Sequence, residues 1–349
     1  MTYPLLDERR QQVLTAVLLE YIETAEPVGS RSVAKRHRLG LSPATIRNAM
    51  ADLEEMGYLS QPHTSAGRVP TDKAYRLYVD TLGGDPEAEI VEARELRRHY
   101  AGTPGGAEHL MEQTSFYLSA LSRMTGVLLA PPLKQTVLAR IELIPLSNER
   151  ALAVVITESG WITTRTVSLE SRVVAEDLRE IGRPLTRRFR GRTFQEILED
   201  LSAPVDPLDP LRARAGSLVD QVFSLLRDRT LYIGGAINIL DHPEFWEIET
   251  MRNLLRAFEK KDRLIDLLSQ QAAEQGVRVM IGRENPFEEM QECSLVTSTY
   301  TYRDQALGIL GVVGPKRMPY SKVITLVEET ARLVSQNLSR QRQELYLLS

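Results

Sequence analysis

Apolar side chains at helical spacing predict three helices in the first sixty residues of the chain. The first follows Asp7, whose carboxylate suits the cap of a helix N-terminus. One stripe of this helix can face a core, and it consists of Val13, Leu14, Val17, Leu18, Tyr21 and Ile22. A short second helix is expected over about residues 30–37, and a third over residues 43–57, where Gly57 suits the C-terminal end. The pattern predicts a helix-turn-helix packed on the first helix.

The segment "YLSQPHTSAGRVPT" follows the third helix and predicts a β-wing. Two short extended pieces, residues 58–61 and 68–70, flank a small polar tip that contains glycine. A further helix, "DKAYRLYVDTL", stops at Gly83 and Pro86. Together these elements predict a winged helix-turn-helix domain over residues 1–82.

Beyond residue 82 the pattern alternates between helical and extended stretches. Residues 83–106 hold a charged connecting helix and the break "AGTPGG", so we expect a linker. A helix and several apolar strand-like runs occupy 107–171, and strands return in 265–349 before a long final helix. The residues between, 172–264, are mainly helical in pattern, with one isolated strand in "TLYIGGAINIL". This order predicts a multidomain α+β protein in which an α+β domain is interrupted by an inserted helical domain.

The third helix carries its charges in reverse of the usual order. Solvent-facing helices place acids in the first turn, where the helix dipole is positive. Here "LSPATIRNAM" contains no acid, while Asp52, Glu54 and Glu55 crowd the other end. A helix that enters the major groove presents its N-terminal half to phosphates and base edges, where an acid would be repelled. The pattern predicts that this helix recognises DNA.

Candidate DNA contacts follow from the chemistry of base edges and phosphates. Arg47 suits guanine O6 and N7, and Asn48 suits adenine. Thr45 or Ala44 can contact a thymine methyl group, and Arg68 beside the wing tip suits a phosphate or a narrow minor groove. The full set of predicted DNA-binding residues is Arg31, Lys35, Arg36, Ser42, Ala44, Thr45, Arg47, Asn48, His63, Ser65, Gly67 and Arg68.

The same face also fits a simpler interpretation, a small helical bundle with a solvated polar surface. From Arg31 to Arg76, eight basic and four acidic side chains leave a local charge of +4. The whole chain carries −4, with a pI of about 5.9, so any basic site must be local. The local charge favours DNA binding.

Composition indicates a globular protein of two or three domains, with 349 residues, 42% of them hydrophobic and 26% charged. No leader and no stretch long enough to cross a bilayer is evident, so we expect a cytoplasmic protein without membrane contact. Cys293 is the only cysteine, which excludes an intramolecular disulfide and a multi-cysteine metal site. The five histidines form no close pair at metal-ligand spacing, and "GTPGG" lacks the Lys and Ser or Thr of a phosphate loop. We expect no metal, no cofactor and no enzymatic activity.

Two stretches resemble a known family. "SPATIRNAMADLEEMGYLSQPHTSAGRVPTDKAYRLYVD" closely resembles the winged-helix end of the bacterial heat-inducible transcription repressor HrcA family. "GILGVVGPKRMPYSKV" resembles its C-terminal segment, and the order and length match over nearly the whole chain. One departure is Ala74, where the family pattern has glycine in "GYR"; this position bears on packing between wing and helix.

The resemblance implies a dimeric repressor that binds an inverted repeat upstream of chaperone genes and loses activity on heat stress. It implies a GAF-like domain, here 107–171 and 265–349, with an inserted dimerisation domain at 172–264. It also implies a GroE-type chaperonin that supports the active repressor. Within the insertion we expect the dimer surface on the helices, at Leu218, Val222, Leu225 and Leu226. An internal core is the equal alternative for these four side chains.

A GAF-like domain can house a small ligand, so a second interpretation is a winged-helix regulator that responds to a small molecule. "TESGW" and "GRENPFEE" could line a pocket. Turns and strand ends explain their Gly, Asn and Pro residues as well.

Overall fold

The N-terminal unit of the protein is a winged helix-turn-helix. The computed structural model describes residues 6–63, 66–82, 96–98, 100, 107–131, 136–158, 162–169, 175–202, 221–222, 230–272, 275–302 and 305–347. The first elements in chain order are α1 (Glu8–Thr24), α2 (Ser30–Arg36), α3 (Pro43–Glu55), β1 (Leu59–Ser60), β2 (Val69–Pro70) and α4 (Asp72–Thr81). β1 and β2 pair antiparallel as the strands of the wing. The predicted winged helix is confirmed.

Local sequence signals set the ends of these helices. Asp7 Oδ1 accepts a 2.8 Å hydrogen bond from the Arg10 N–H at the start of α1, and Ser42 Oγ accepts one of 3.1 Å from the Thr45 N–H at the start of α3. Gly57, just beyond α3, has φ +76°, a conformation that glycine adopts without steric cost. The helix boundaries predicted from these residues are confirmed.

The core of the winged helix lies where α1 and α3 pack beside the wing. Val13, Val17, Ile46, Leu53 and Tyr58 are all fully buried. Burial of such side chains contributes about 1.5–3 kcal/mol each to folding. This core orients the polar face of α3 outwards.

A five-stranded antiparallel sheet forms the centre of the second unit. Its strands are β3 (Thr125–Leu129), β7 (Leu231–Gly234), β8 (Val277–Ile281), β9 (Cys293–Tyr302) and β10 (Gln305–Pro315), in the order β7-β3-β10-β9-β8. Four helices accompany it, and they are α5 (Ala107–Ser122), α8 (Ile248–Glu259), α9 (Lys261–Gln271) and α10 (Tyr320–Leu347). Leu128 joins the core that contains Val327 of α10, whereas Val127 and Leu129 join the core that contains α8 and α9. The sheet is therefore covered on both faces.

The middle of the chain forms a separate three-stranded sheet. Its elements are β4 (Leu138–Ser147), β5 (Arg150–Thr157) and β6 (Ile162–Ser168), followed by α6 (Ala175–Phe189) and α7 (Phe194–Ser202). The alternate side chains Ala151, Ala153 and Val155 of the central strand are fully buried. Thr186 of α6 both accepts from and donates to the backbone of Ile141, at 3.0 Å each. The three-stranded sheet and α6 therefore pack against each other as two layers.

The sheet pairings differ from the expected boundaries at 171/172 and 264/265. β3 is hydrogen-bonded on one side to β10 and on the other to β7, so neither of its edges remains for β4. The strands of 138–168 therefore stand apart from the five-stranded sheet and belong with the helices after 172. Conversely, β7 lies inside 172–264 yet belongs to the five-stranded sheet. The interruption thus extends from the end of β3 to the start of β7, and it includes a sheet as well as helices.

Most of the predicted linker, 83–106, lies outside the described residues. Leu96 and Tyr100 are buried, and the Tyr100 hydroxyl lies 2.5 Å from Thr114 Oγ1 of α5. Arg97 Nε donates to Glu329 Oε1 of α10 at 2.9 Å. In the part of the chain that the structure describes, no helix is long and apolar enough to cross a membrane.

Candidate nucleic-acid interface

The N-terminal half of α3 presents a polar face to solvent. Ala44, Arg47 and Asn48 are exposed, whereas Ile46 and Ala49 are buried. The 3.6-residue period of the helix separates the two sets, because the apolar stripe packs into the core. The exposure of these three side chains leaves them available to base edges, and base contact by them stays a prediction.

Ser42 and Thr45 serve the helix cap. The two hydroxyl oxygens lie 2.8 Å apart, and Ser42 Oγ also accepts the Thr45 N–H. These contacts hold the first turn of α3 and satisfy one of its otherwise unpaired N–H groups. The positions of Ser42 and Thr45 at the exposed helix start remain compatible with DNA contact, which stays a prediction.

The acids at the far end of α3 tie the helix to its scaffold. Asp52 Oδ2 accepts from Arg10 Nε at 3.1 Å and from Arg10 Nη2 at 2.7 Å. The hydrogen bond that Arg10 donates to Asp52, with the charge of Asp7, raises the pKa of the Arg10 guanidinium. Glu54 Oε2 lies 2.8 Å from Arg68 Nη2. The reversed charge order therefore has two parts, an acid-free end at the exposed face and an acidic end that forms ion pairs within the winged helix.

α2 displays three basic side chains of the predicted DNA-binding set. Arg31, Lys35 and Arg36 are all exposed. Arg36 Nη1 lies 3.3 Å from Glu23 Oε2 in a pair exposed on both sides, and such pairs contribute little energy. All three cations can therefore turn towards a phosphate at small cost.

A buried carboxylate fixes α2 against α1. Glu20 is 5% exposed, accepts from Ser32 Oγ, and lies 3.6 Å from His37 Nε2 at the end of α2. Buried carboxylates need such partners because desolvation is costly. The position of α2 relative to α1 thus depends on Glu20.

At the wing, Gly67 and Arg68 lie at the base, away from the tip where we expected them. Arg68 exchanges backbone hydrogen bonds of 2.8 and 2.9 Å with Val28, and its guanidinium pairs with Glu54. A Cβ on Gly67 would lie 2.4 Å from the Val28 carbonyl oxygen, so glycine is needed for this close approach of two backbones. Structural roles therefore account for both residues, and DNA contact by either stays a prediction. His63 is exposed, and Ser65 lies outside the described residues.

The predicted dimer surface is only partly described. Val222 is fully buried within the main core, which contradicts its assignment to an exposed dimer surface. The neighbouring Gln221 holds the backbone of Ser168, accepting from its N–H at 2.8 Å and donating to its C=O at 3.2 Å. This anchor on β6 turns Val222 inwards. Leu218, Leu225 and Leu226 lie outside the described residues.

His242, Cys293 and Asn285 each lie in contacts within the protein. His242 Nε2 lies 3.2 Å from the Arg123 carbonyl oxygen, and its ring meets Phe245 edge-on. Cys293 is buried, and burial, with the charge of Glu292, raises the pKa of its thiol to about 12. Asn285 of "GRENPFEE" is 1% exposed, and its amide nitrogen donates to the carbonyls of Gly282, Met290 and Cys293.

The sequence patterns did not predict that Arg10 supports α3. It stabilises α3 from the first turn of α1, 42 residues away from Asp52. Helical periodicity reports only neighbours three or four residues apart, so no local signal marks such a pair.

Three helices, the third of them a recognition helix with an acid-free exposed end, and a two-stranded wing define a winged-helix DNA-binding protein. Comparisons with known families agree. Residues 5–81 match the family described as "Winged helix-turn-helix transcription repressor, HrcA DNA-binding", and residues 108–324 match "HrcA protein C terminal domain". The chain belongs to the HrcA family.

Curated relatives match nearly end to end. The "Heat-inducible transcription repressor HrcA" of Geobacter sulfurreducens is 44% identical over 338 residues, covering 95% of this chain and 98% of the relative. The protein of the same name from Pelotomaculum thermopropionicum is 38% identical, covering 96% and 97%. A solved structure titled "Crystal structure of a hypothetical protein at 2.2 A resolution" has a TM-score of 0.70 and 24% identity, covering 97% of this chain and all of that one. The last likeness concerns the fold alone.

Proposed function

We propose that this protein is a sequence-specific transcription repressor of heat-shock genes, which binds an inverted-repeat operator as a dimer and is released on heat stress. The observation that carries the proposal is the exposed, acid-free N-terminal half of α3, with Arg47 and Asn48 side by side. Membership of the HrcA family supports it, since the curated relatives are named heat-inducible transcription repressors.

In the proposed complex the N-terminal half of α3 enters the major groove. Arg47 donates two hydrogen bonds to a guanine, Asn48 pairs with an adenine, and Ala44 contacts a thymine methyl group. The exposed cations of α2 contact phosphates on the flanking backbone, which fixes the register but carries no base preference. Repression follows because a bound dimer occupies the operator.

Dimerisation is proposed because one short helix contacts only a few base pairs, and two copies on a two-fold axis multiply specificity. The helical segment with Leu218, Leu225 and Leu226 remains the proposed surface. We add to the proposed surface two exposed apolar side chains of the three-stranded sheet, Ile144 at 42% and Ile162 at 39% exposure. Sedimentation of an Ile144→Asp, Leu225→Asp variant tests this surface, and an unchanged dimer would exclude it.

Heat release is proposed to follow from marginal stability of the folded repressor. Warming lowers its folded fraction, and competition by other unfolded proteins for a GroE-type chaperonin lowers it further. The chaperonin is part of this proposal because the family resemblance implies it. The proposal requires that titrating chaperonin with an unfolded client reduces the amount of DNA-binding repressor at constant temperature. Constant repressor activity across that titration would refute it.

Selection of bound duplexes from a random DNA pool tests the function. Native protein is compared at one stated salt concentration with Arg47→Ala and with Arg256→Ala, a charge-matched control on the exposed surface of α8. We expect native protein and the control to enrich one inverted repeat. Arg47→Ala should lose preference at one position in each half-site, by about 1–3 kcal/mol. Failure of the native protein to enrich any sequence would contradict the proposal.

Regulation by a small molecule is the second candidate. It has less support, because Asn285 in "GRENPFEE" is buried and its amide nitrogen is used in hydrogen bonds to three backbone carbonyls of the same region. Purified repressor that binds its operator without any added ligand would count against it. A requirement for a small molecule in the same assay would favour it.

A further inference from the structure

α4 connects the wing to the five-stranded unit through one face. Asp72, Tyr75 and Arg76 lie at i, i+3 and i+4, so they share a side of the helix. All three contact residues more than 200 positions further along the chain. The face therefore serves as the docking surface of the winged helix on the rest of the protein.

Arg76 makes a two-point contact across this boundary. Its Nε donates to Glu284 Oε1 at 2.7 Å, and its Nη2 donates to Glu284 Oε2 at 2.5 Å and to the Val279 carbonyl at 2.6 Å. The hydrogen bonds that Arg76 donates to the Glu284 carboxylate raise the pKa of the Arg76 guanidinium. A planar guanidinium held by both oxygens of one carboxylate fixes orientation as well as distance.

Asp72 makes a contact one turn earlier. Its Oδ2 accepts the Arg283 backbone N–H at 3.0 Å, and its Oδ1 lies 3.4 Å from Lys316 Nζ. A Cβ on Gly282 would lie 2.2 Å from the Asp72 carboxylate, so the loop backbone is closely fitted to this side chain. Between the two ion pairs the Tyr75 ring is 2% exposed, with its centroid 5.9 Å from that of Tyr320.

A second attachment lies at the end of α1. Arg317 Nη1 donates to the Ile22 carbonyl at 2.6 Å, and Arg317 Nε lies 2.5 Å from Glu244 Oε1. Carbonyls in the last turn of a helix lack partners within the helix, so Arg317 supplies one from the other unit. With α4 and α1 both attached, the winged helix is held against rotation about either contact alone.

Two of these contacts, Asp72 with Lys316 and Tyr75 with Tyr320, join the two stretches of sequence that resemble a known family. Asp72, Tyr75 and Arg76 come from "TDKAYRLYVD", and Lys316 and Arg317 come from "GPKRMPY". The C-terminal stretch thus contacts the DNA-binding unit, although the two are far apart in the sequence.

We propose that Arg76 and Arg317 are positioning residues that fix the angle of the recognition helix to the body of the protein, and thereby set the spacing between half-sites in the operator. The inference rests on the proposed function as a dimeric DNA-binding repressor. Each added base pair moves a half-site by roughly 3.4 Å and turns it by roughly 34° around the duplex. A rigid pair of winged helices can match one spacing, whereas hinged ones can match several, because interdomain contacts of ordinary strength leave domains mobile.

The test uses full-length protein and a DNA pool with the two selected half-sites fixed and the number of base pairs between them varied. Native protein is compared with the Arg76→Gln, Arg317→Gln double variant and with Arg263→Gln, Arg332→Gln, which removes the same charge from ion pairs elsewhere in the five-stranded unit. Affinity for a duplex with a single half-site is measured for all three. Glu284→Gln provides a second variant from the other side of the contact if the double variant fails to fold.

We expect native protein and the control to favour one spacing over its neighbours. The double variant should keep its single half-site affinity within about twofold while its preference for that spacing falls several-fold. An unchanged spacing preference in the folded double variant, or in folded Glu284→Gln, would overturn the inference and leave the repressor function standing. If native protein enriches no paired half-sites, the proposed function fails and the inference fails with it.

Discussion

Arg68 at the base of the wing forms an ion pair of 2.8 Å with Glu54 in the C-terminal half of α3. The pair is partly buried, with 20% of the Arg68 side chain and 33% of the Glu54 side chain exposed. It joins the wing to the recognition helix, and it competes with the DNA contact that sequence alone assigned to Arg68.

A double-mutant cycle separates these roles. If Arg68 acts through Glu54, Arg68→Ala and Glu54→Ala should each destabilise the winged helix, with a coupling of roughly 1 kcal/mol in denaturant unfolding. Operator affinity should then be the same for Glu54→Ala with and without Arg68→Ala. A further loss of affinity in the double variant would assign Arg68 to the DNA contact.

Phosphate and base contacts should respond differently to salt. Lys35→Gln should weaken binding to all duplexes alike and lower the slope of log affinity against log salt by about 1. Arg47→Ala should chiefly reduce the preference for one base pair in each half-site. Titrations at several salt concentrations, with selected and scrambled duplexes, measure both effects, and equal base preference in native protein and Arg47→Ala would rule out the assigned role.

Gly67→Ala should destabilise the winged helix by about 1–3 kcal/mol, because its Cβ would lie 2.4 Å from the Val28 carbonyl oxygen and one backbone must move. Gly182→Ala, inside α6, is the matched control, since the nearest atoms to a Cβ there belong to Ile141 and Leu143 of β4, at 3.8 Å. Removing a helical glycine should stabilise by about 0.5–1 kcal/mol. Denaturant midpoints for the two variants should therefore shift in opposite directions, and a neutral Gly67→Ala would refute the close approach.

The buried Cys293 thiol should resist alkylation in folded protein at pH 8, because burial raises its pKa to about 12. The unfolded-state pKa is about 8.5, so the folded state holds the proton more tightly. The stabilisation of the folded state that results from this pKa difference is fully present below about pH 8.5. It is lost as the pH rises towards 12, at about 1.4 kcal/mol per pH unit.

The test measures the unfolding free energy at pH 8 and pH 10 for native protein and for Cys293→Ala. The comparison separates the effect of the Cys293 thiol on the pH dependence of stability from the effect of the tyrosine side chains. Native protein should lose more stability between the two pH values than the variant. Rapid alkylation of folded protein at pH 8 would show that the thiol is accessible after all.

Much of the winged helix follows from the sequence, because its signals are local. The caps at Asp7 and Ser42 involve residues three positions apart, and the exposure of Arg47 and Asn48 follows from helical period. The strand runs were also visible in the sequence. Their partners were not, since an apolar run shows that a strand is buried without showing which edge it meets. For this reason β4 to β6 were expected in the same domain as β3, and β7 was expected in the inserted domain.

The sequence by itself determined the helices of the DNA-binding unit, the acid-free exposed end of α3 and the resemblance to a repressor family. Only the tertiary structure decided what the acids at the other end contact, since Asp52 meets Arg10 across 42 residues. Only the tertiary structure placed Arg76 against Glu284, 208 residues away. Caps and periodicity depend on neighbours within one or two turns, whereas ion pairs and sheet edges depend on which distant segments the fold brings within hydrogen-bonding distance.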